Sequence, residues 1–208
     1  MKSVNFWVLV LSVIVLVGVW LVAITVWPGP KVYPAHVHKT LYVDRYLDDD
    51  AFEQISYAAI RWSIATNHII DYDVVRMPIY DHKEIADPAN SIVVILVSPE
   101  YPDVIQADTE NQSSTLGIYR DHCTSLPVIE LVMERIETPE VLEAVLMHEM
   151  GHSVGLGHNN GIDGIGTLMY PSIFDGADFI TQTDRENFCK LYNCDPKDLQ
   201  YEEEPFHL

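Results

Sequence analysis

Positive charge is what this sequence has least of: 12 Lys and Arg stand against 31 Asp and Glu, a formal net charge of −19 over 208 residues. No basic run gathers the few cations, so a phosphate backbone would be repelled and nucleic acid is excluded as a partner. The acidic surplus reads as a charged, solvated surface. Structural calcium is the alternative use of those carboxylates, but no Asp-rich loop pivoting on glycine supports it.

Cysteine is scarce as well. Three residues, Cys123, Cys189 and Cys194, are too few for a disulfide scaffold. Cys189 and Cys194 could bridge across a helix end in an oxidising compartment, leaving Cys123 unpaired, or all three are plain buried thiols. Repeats and low-complexity tracts are absent, and the length suits one compact domain with an appendage.

The appendage is a hydrophobic run. Residues 6–27, FWVLVLSVIVLVGVWLVAITVW, carry no charge and span roughly 33 Å as a helix, enough to cross a bilayer. Trp7 and Trp27 sit near its ends, where indoles prefer the interface, and Pro28, Gly29 and Pro30 stop it. The bulky residues before any cleavage point argue for an uncleaved anchor rather than a signal peptide. Residues 1–5 are then a short flank, 6–27 a transmembrane anchor, 28–38 a proline-rich stalk and 39–208 the domain.

Flanking charge barely decides orientation, with Lys2 and the α-amine on one side and Lys31 and Lys39 on the other. The stalk and the N-terminal position of the apolar span favour a single-pass protein with its domain outside the cytoplasm.

Within the domain, alternating and continuous apolar runs predict strands at 39–44, 73–77, 91–98, 116–119 and 127–133. A helix is expected from Asp49 to Asn67, with Phe52, Ile55, Ala59 and Trp62 on one face. The long polar stretch 98–115 reads as a wrapping or functional loop. A second helix starts at the N-cap Thr138 with Pro139 in its first turn and runs to about Val154, where Gly155 allows a left-handed exit. A last helix begins at Thr181, whose spacing to Asp184 is that of a capping box.

The second helix ends in MHEMGHSVGLGH, residues 147–158. Four residues on a helix return about 40° from the starting azimuth, so His148 and His152 project from one face on consecutive turns. Gly155 lets the chain turn back and bring His158 round as a third ligand. Three nitrogen ligands with one open position is the catalytic arrangement for zinc, and Glu149 suits a general base acting on a water at that position. One zinc per chain is expected. His36 and His38 read as solvated linker histidines or as an HxH metal pair; His68, His82 and His122 read as solvated or packed.

HEMGHSVGLGH resembles the metzincin zinc motif, and TLMYP at 167–171 resembles its Met-turn, with Met169 eleven residues beyond His158. Within metzincins the chain is most similar to the matrixins, over about residues 39–194. The resemblance implies an α+β or α/β zincin-like fold: a five-stranded, mostly parallel twisted sheet, a long active-site helix, the Met-turn and a C-terminal helix. It implies an edge strand at LGIY that templates an extended peptide, and Met169 beneath the metal. Pro171 occupies the place where some metzincins carry a tyrosine ligand, so Tyr170 is not assigned to zinc. The loop 98–115 holds no histidine for a second zinc, Asn159 stands where matrixins commonly have serine, and no cysteine-bearing propeptide is expected. The implied activity is a membrane-anchored endopeptidase acting on peptide or protein. An amidase on cell-wall or other non-protein amides, and a non-catalytic binding protein with the same fold, are the alternatives.

Overall fold

The computed structural model describes residues 36–77, 85, 87–97, 115–121 and 126–199. The apolar run 6–27, most of the stalk, the loop 98–114 and His82, His122 and Cys123 lie outside the described residues. Among the described residues no helix is long and apolar enough to cross a membrane.

Five strands form one sheet: β1 (Val37–Val43), β2 (Ile70–Arg76), β3 (Ser91–Leu96), β4 (Gly117–Arg120) and β5 (Val128–Leu131), in the order β2-β1-β3-β5-β4. All neighbours are parallel except β4, which runs antiparallel to β5 at the edge. The mostly parallel sheet with LGIY at its edge is as the resemblance implied. β1 begins two residues earlier than expected, inside the segment read as stalk, because Val37 pairs with Ile70. β2 likewise starts at Ile70 rather than 73: Asp71 and Asp73 are polar, but they fall on the outer face of an edge strand where polarity is tolerated. β5 ends at Leu131 and Met133–Arg135 coils into a 3₁₀ turn, so the expected strand is shortened.

Helix α1 (Asp49–Ala65) is capped by Asp48, whose carboxylate accepts from the Ala51 N–H at 2.8 Å. Its buried face, with Ile55, Ala58, Ala59 and Trp62, packs on helix α2 (Pro139–Ser153) and beside β2. Thr138 caps α2 through the Val141 N–H, and Pro139 sits where its missing N–H costs nothing. The helix ends at the C-cap Val154, and Gly155 takes a φ of +90° as expected. Helix α3 (Gln182–Tyr192) carries the capping box of Thr181 and Asp184 and closes on Asn193 in the left-handed region.

Helix α2 is buried almost all round, from Leu142 through Gly151, which suits an element enclosed by helix, sheet and loop rather than one facing solvent. Three contacts fix its rotation. The Trp62 indole N–H donates to the Met147 carbonyl at 3.0 Å, Arg61 pairs with Glu143 at 2.6 Å, and Tyr72 on β2 meets Ser153 at 3.2 Å. A helix so held presents His148 and His152 in one direction.

Candidate metal centre

The zinc motif folds as its spacing requires. After Gly155 the chain reverses and brings the His158 ring over the end of α2, where His158 Nε2 lies 3.1 Å from His152 Nε2 and 3.2 Å from His148 Nε2. Each of the three residues offers a ligand atom within 4.8 Å of the others.

The far side of two rings settles which nitrogen faces inward. His148 Nδ1 lies 2.7 Å from the Leu168 carbonyl oxygen and His152 Nδ1 lies 2.8 Å from the Leu156 carbonyl oxygen. A carbonyl only accepts, so each Nδ1 carries the proton and each Nε2 turns a lone pair toward the centre. Lone pairs crowded at such distances repel unless a cation lies between them, and this donor set is the one that suits zinc.

Burial pushes the His148 imidazole down to about 4, so that ring stays neutral and able to bind a metal at mildly acidic pH, and burial lowers His152 in the same direction. Glu149, also buried, follows the first ligand. Burial pushes its carboxyl up to about 7, against a hydrogen bond donated by the Tyr119 backbone N–H.

Met169 is buried beneath the site, and its placement explains a glycine within the motif. A Cβ on Gly151 would come within 2.4 Å of Met169 Sδ and 3.3 Å of the Trp62 ring. A side chain at Gly151 would push the Met169 thioether aside, so glycine lets the Met-turn pack closely against α2 between His148 and His152. Asp184 secures the same turn from α3: its carboxylate accepts from Leu168 N at 2.9 Å, Met169 N at 3.3 Å and Thr181 N at 3.0 Å. Asn159 closes the turn, with its N–H donated to the Met169 carbonyl at 2.7 Å.

Above the centre runs β4. The Val132 N–H donates to the Leu116 carbonyl, so by alternation Gly117 and Tyr119 turn their backbone groups away from β5 and toward the cleft. The cleft encloses about 620 Å³ between β4 and the segment after Met169, with Thr115, Tyr119, Tyr170, Ile173 and Phe174 among its walls. Gly117 is another forced glycine: a Cβ there would lie 2.5 Å from Val145 and 3.3 Å from Glu149 Oε1.

The structure thus brings together His148, His152, His158, Glu149 and Met169, all named from the sequence. It adds Leu156, Leu168 and Asp184, which sequence reasoning missed, and gives Gly117 and Tyr119 of the expected LGIY strand their particular contacts. The first two act through backbone carbonyls that leave no trace in residue type, and Asp184 was legible only as a helix cap. His36, His38 and His68 lie elsewhere, on the outer face of β1 and β2. Cys189 and Cys194 are disulfide-bonded, one of the two readings left open by the sequence.

The matrixin family model matches residues 52–193, more than half of the chain and all of the site. The chain belongs to the matrixin family. Its domain is therefore of the zinc metalloprotease kind, and the three-histidine group fits the zinc site of such domains. No curated protein matches this matrixin by sequence. Among solved structures it is similar to metalloproteinase-II from Bacteroides fragilis, at 13% identity and a TM-score of 0.43. That likeness covers 80% of this chain and 56% of that protein, and at that TM-score it carries no weight here.

Proposed function

We propose that this matrixin is a zinc-dependent endopeptidase, tethered to a membrane by residues 6–27, that cleaves extended peptide segments outside the cytoplasm. The observation that carries the reading is the convergence of three Nε2 atoms beside the buried carboxylate of Glu149, in a cleft roofed by an open strand edge.

His148, His152 and His158 would hold the ion. Zinc, when bound at such a site, polarises a carbonyl and acidifies water. An extended peptide lies along β4 and pairs with the outward backbone of Gly117 and the carbonyl of Tyr119, which holds the scissile bond over the histidines. Glu149 takes the proton of the attacking water and returns it to the leaving amine, and its retention favours an enzyme over a binding protein. Met169 and Gly151 keep the floor of the site close and dry.

The Cys189–Cys194 bridge supports an oxidising compartment for the domain, consistent with the orientation expected from the stalk.

The test uses the full chain in detergent with a quenched-fluorescent peptide library. Zinc-dependent internal cleavage is expected, and Glu149→Ala should keep its zinc while turnover falls by roughly two to four powers of ten. Absence of peptide cleavage alongside release from non-protein amides would replace endopeptidase by amidase.

A further inference from the structure

Six histidines fall among the described residues, and they sort into two groups of three. One is the motif group. The other, His36, His38 and His68, surrounds Asp71 and Asp73 at the opposite end of the sheet, three to four strand spacings or roughly 14–19 Å from β4.

Strand pairing builds this second group. The parallel register sets His38 opposite Asp71 and Thr40 opposite Asp73, and strand alternation puts His36, His38, Asp71 and Asp73 on the outer face. His36 Nε2 lies 2.6 Å from Asp71 Oδ2, and His38 Nε2 lies 2.9 Å from Asp73 Oδ2. His68 comes from the turn between α1 and β2, with its Nδ1 2.8 Å from Asp71 Oδ1.

That turn is unusual. Asn67 and His68 both adopt left-handed backbone, with φ of +49° and +57°, and glycine stands at neither position. Hydrogen bonds from Asn67 N to Ile64 O and from His68 N to Ser63 O hold the conformation. It aims His68 back at Asp71. Among the described residues the ion-pair partners of Asp71 and Asp73 are these histidines, with no lysine or arginine between them.

We propose that His36, His68 and Asp71, flanked by His38 and Asp73, form a second site for a divalent cation of the imidazole-preferring class, with zinc as its best match. Two imidazoles and a carboxylate are a donor set zinc accepts, and the Asp71 carboxylate already gathers both rings by hydrogen bonds at 2.6 and 2.8 Å, though only the motif histidines stand preformed as a ligand cluster among the described residues. His36 and His68 now address different oxygens of Asp71. Both rings are exposed, so a rotation about their side-chain bonds brings the two nitrogens to one ion, with His38 or water completing the shell. An ion there ties the start of β1 to β2 and to the end of α1, stapling the point where the chain enters the domain. Solvent exposure makes this site weaker than the buried motif site.

The full chain in detergent, stripped with a chelator and titrated with Zn²⁺, tests the proposal. Two zinc ions per chain are expected, the second held at least about tenfold more weakly than the first. His36→Ala with His68→Ala should leave one zinc and unchanged peptide hydrolysis, whereas His152→Ala should leave only the weaker zinc and abolish hydrolysis. Asp71→Asn, which keeps the shape and removes the charge, should weaken the second site alone. A parent protein that saturates at one zinc, or a His36→Ala/His68→Ala protein of parental circular dichroism that still takes two, overturns it.

Discussion

The carboxylate of Asp184 accepts the backbone N–H of Leu168 at 2.9 Å, and the carbonyl of that same residue accepts the Nδ1 proton of His148 at 2.7 Å. One residue of the Met-turn thus links a helix-capping carboxylate to a ring of the three-histidine group. Asp184 is wholly buried and serves two elements, because its Oδ2 also accepts from the Thr181 hydroxyl at 2.6 Å.

Asp184→Ala should therefore do more than uncap α3. Two buried amide groups, at Leu168 and Met169, lose their acceptor, at a cost of about 1–3 kcal/mol each, and His148 loses the support that orients it. A large fall in thermal stability and at least a tenfold loss of zinc affinity are expected, read by calorimetry and chelator competition. Unchanged zinc affinity in a folded Asp184→Ala protein would refute the linkage.

Gly117 tests how closely β4 must approach α2. Gly117→Ala places a methyl group 2.5 Å from Val145 Cγ1 and 3.3 Å from Glu149 Oε1, so the edge strand lifts and the carboxylate moves. Peptide hydrolysis should fall about tenfold or more with zinc retained, since misplacement of a reacting group by about 1 Å can cost that much. Val145→Ala in the same chain removes the obstructing atom and should restore much of the activity. If the double variant is no better than the single one, crowding at Val145 is not the cause.

Glu149 and His148 give opposite pH signatures to the metal-free protein. Glu149 titrates at about 7 when folded against an ordinary 4.5, so between those values the folded state binds more protons and stability falls as pH rises. His148 titrates at about 4 when folded against 6.5, so the unfolded state binds more protons in that window and stability rises with pH. Glu149→Gln removes the first effect and leaves the second. The variant should match the parent near pH 4.5 and become progressively more stable than it toward pH 7 and above, by an amount on the order of 3 kcal/mol at most. Melting temperatures of the two chelated proteins across that range are the measurement; a constant difference would show that burial does not raise this carboxyl.

Orientation of the domain is open to direct measurement. With residues 6–27 in the membrane and the domain outside, an added protease should digest residues 36–199 in intact cells or spheroplasts. The Cys189–Cys194 bridge should then be recovered oxidised under thiol trapping. A domain protected until the membrane is broken, with both thiols free, would reverse the assignment.

Much of the site was legible because its chemistry is local. His148, Glu149 and His152 are spaced by one helical turn, and the caps at Thr138 and Gly155 announce where that helix starts and stops. His158 and Met169 could be placed by their distance from the helix and the family pattern. The elements themselves followed from apolar periodicity, and the errors fell where polarity and burial part company: at Asp71, left out of an edge strand, and at Val132 and Met133, where the expected strand gives way to a turn.

By itself the sequence determined the candidate ligand set, the helix that carries it and the strands that roof it, since each depends on residue type and short spacing. The tertiary structure alone decided how the ligands are aimed. His148 and His152 are oriented by the carbonyls of Leu168 and Leu156, and every residue has a carbonyl, so nothing in residue type singles those two out. Gly117 and Gly151 sit where Val145 and Met169 arrive from elsewhere in the chain, and His36 and His38 meet Asp71 and Asp73 only because β1 and β2 pair in one register. Such contacts are set by packing between segments distant in sequence, and that is the information a local pattern does not hold.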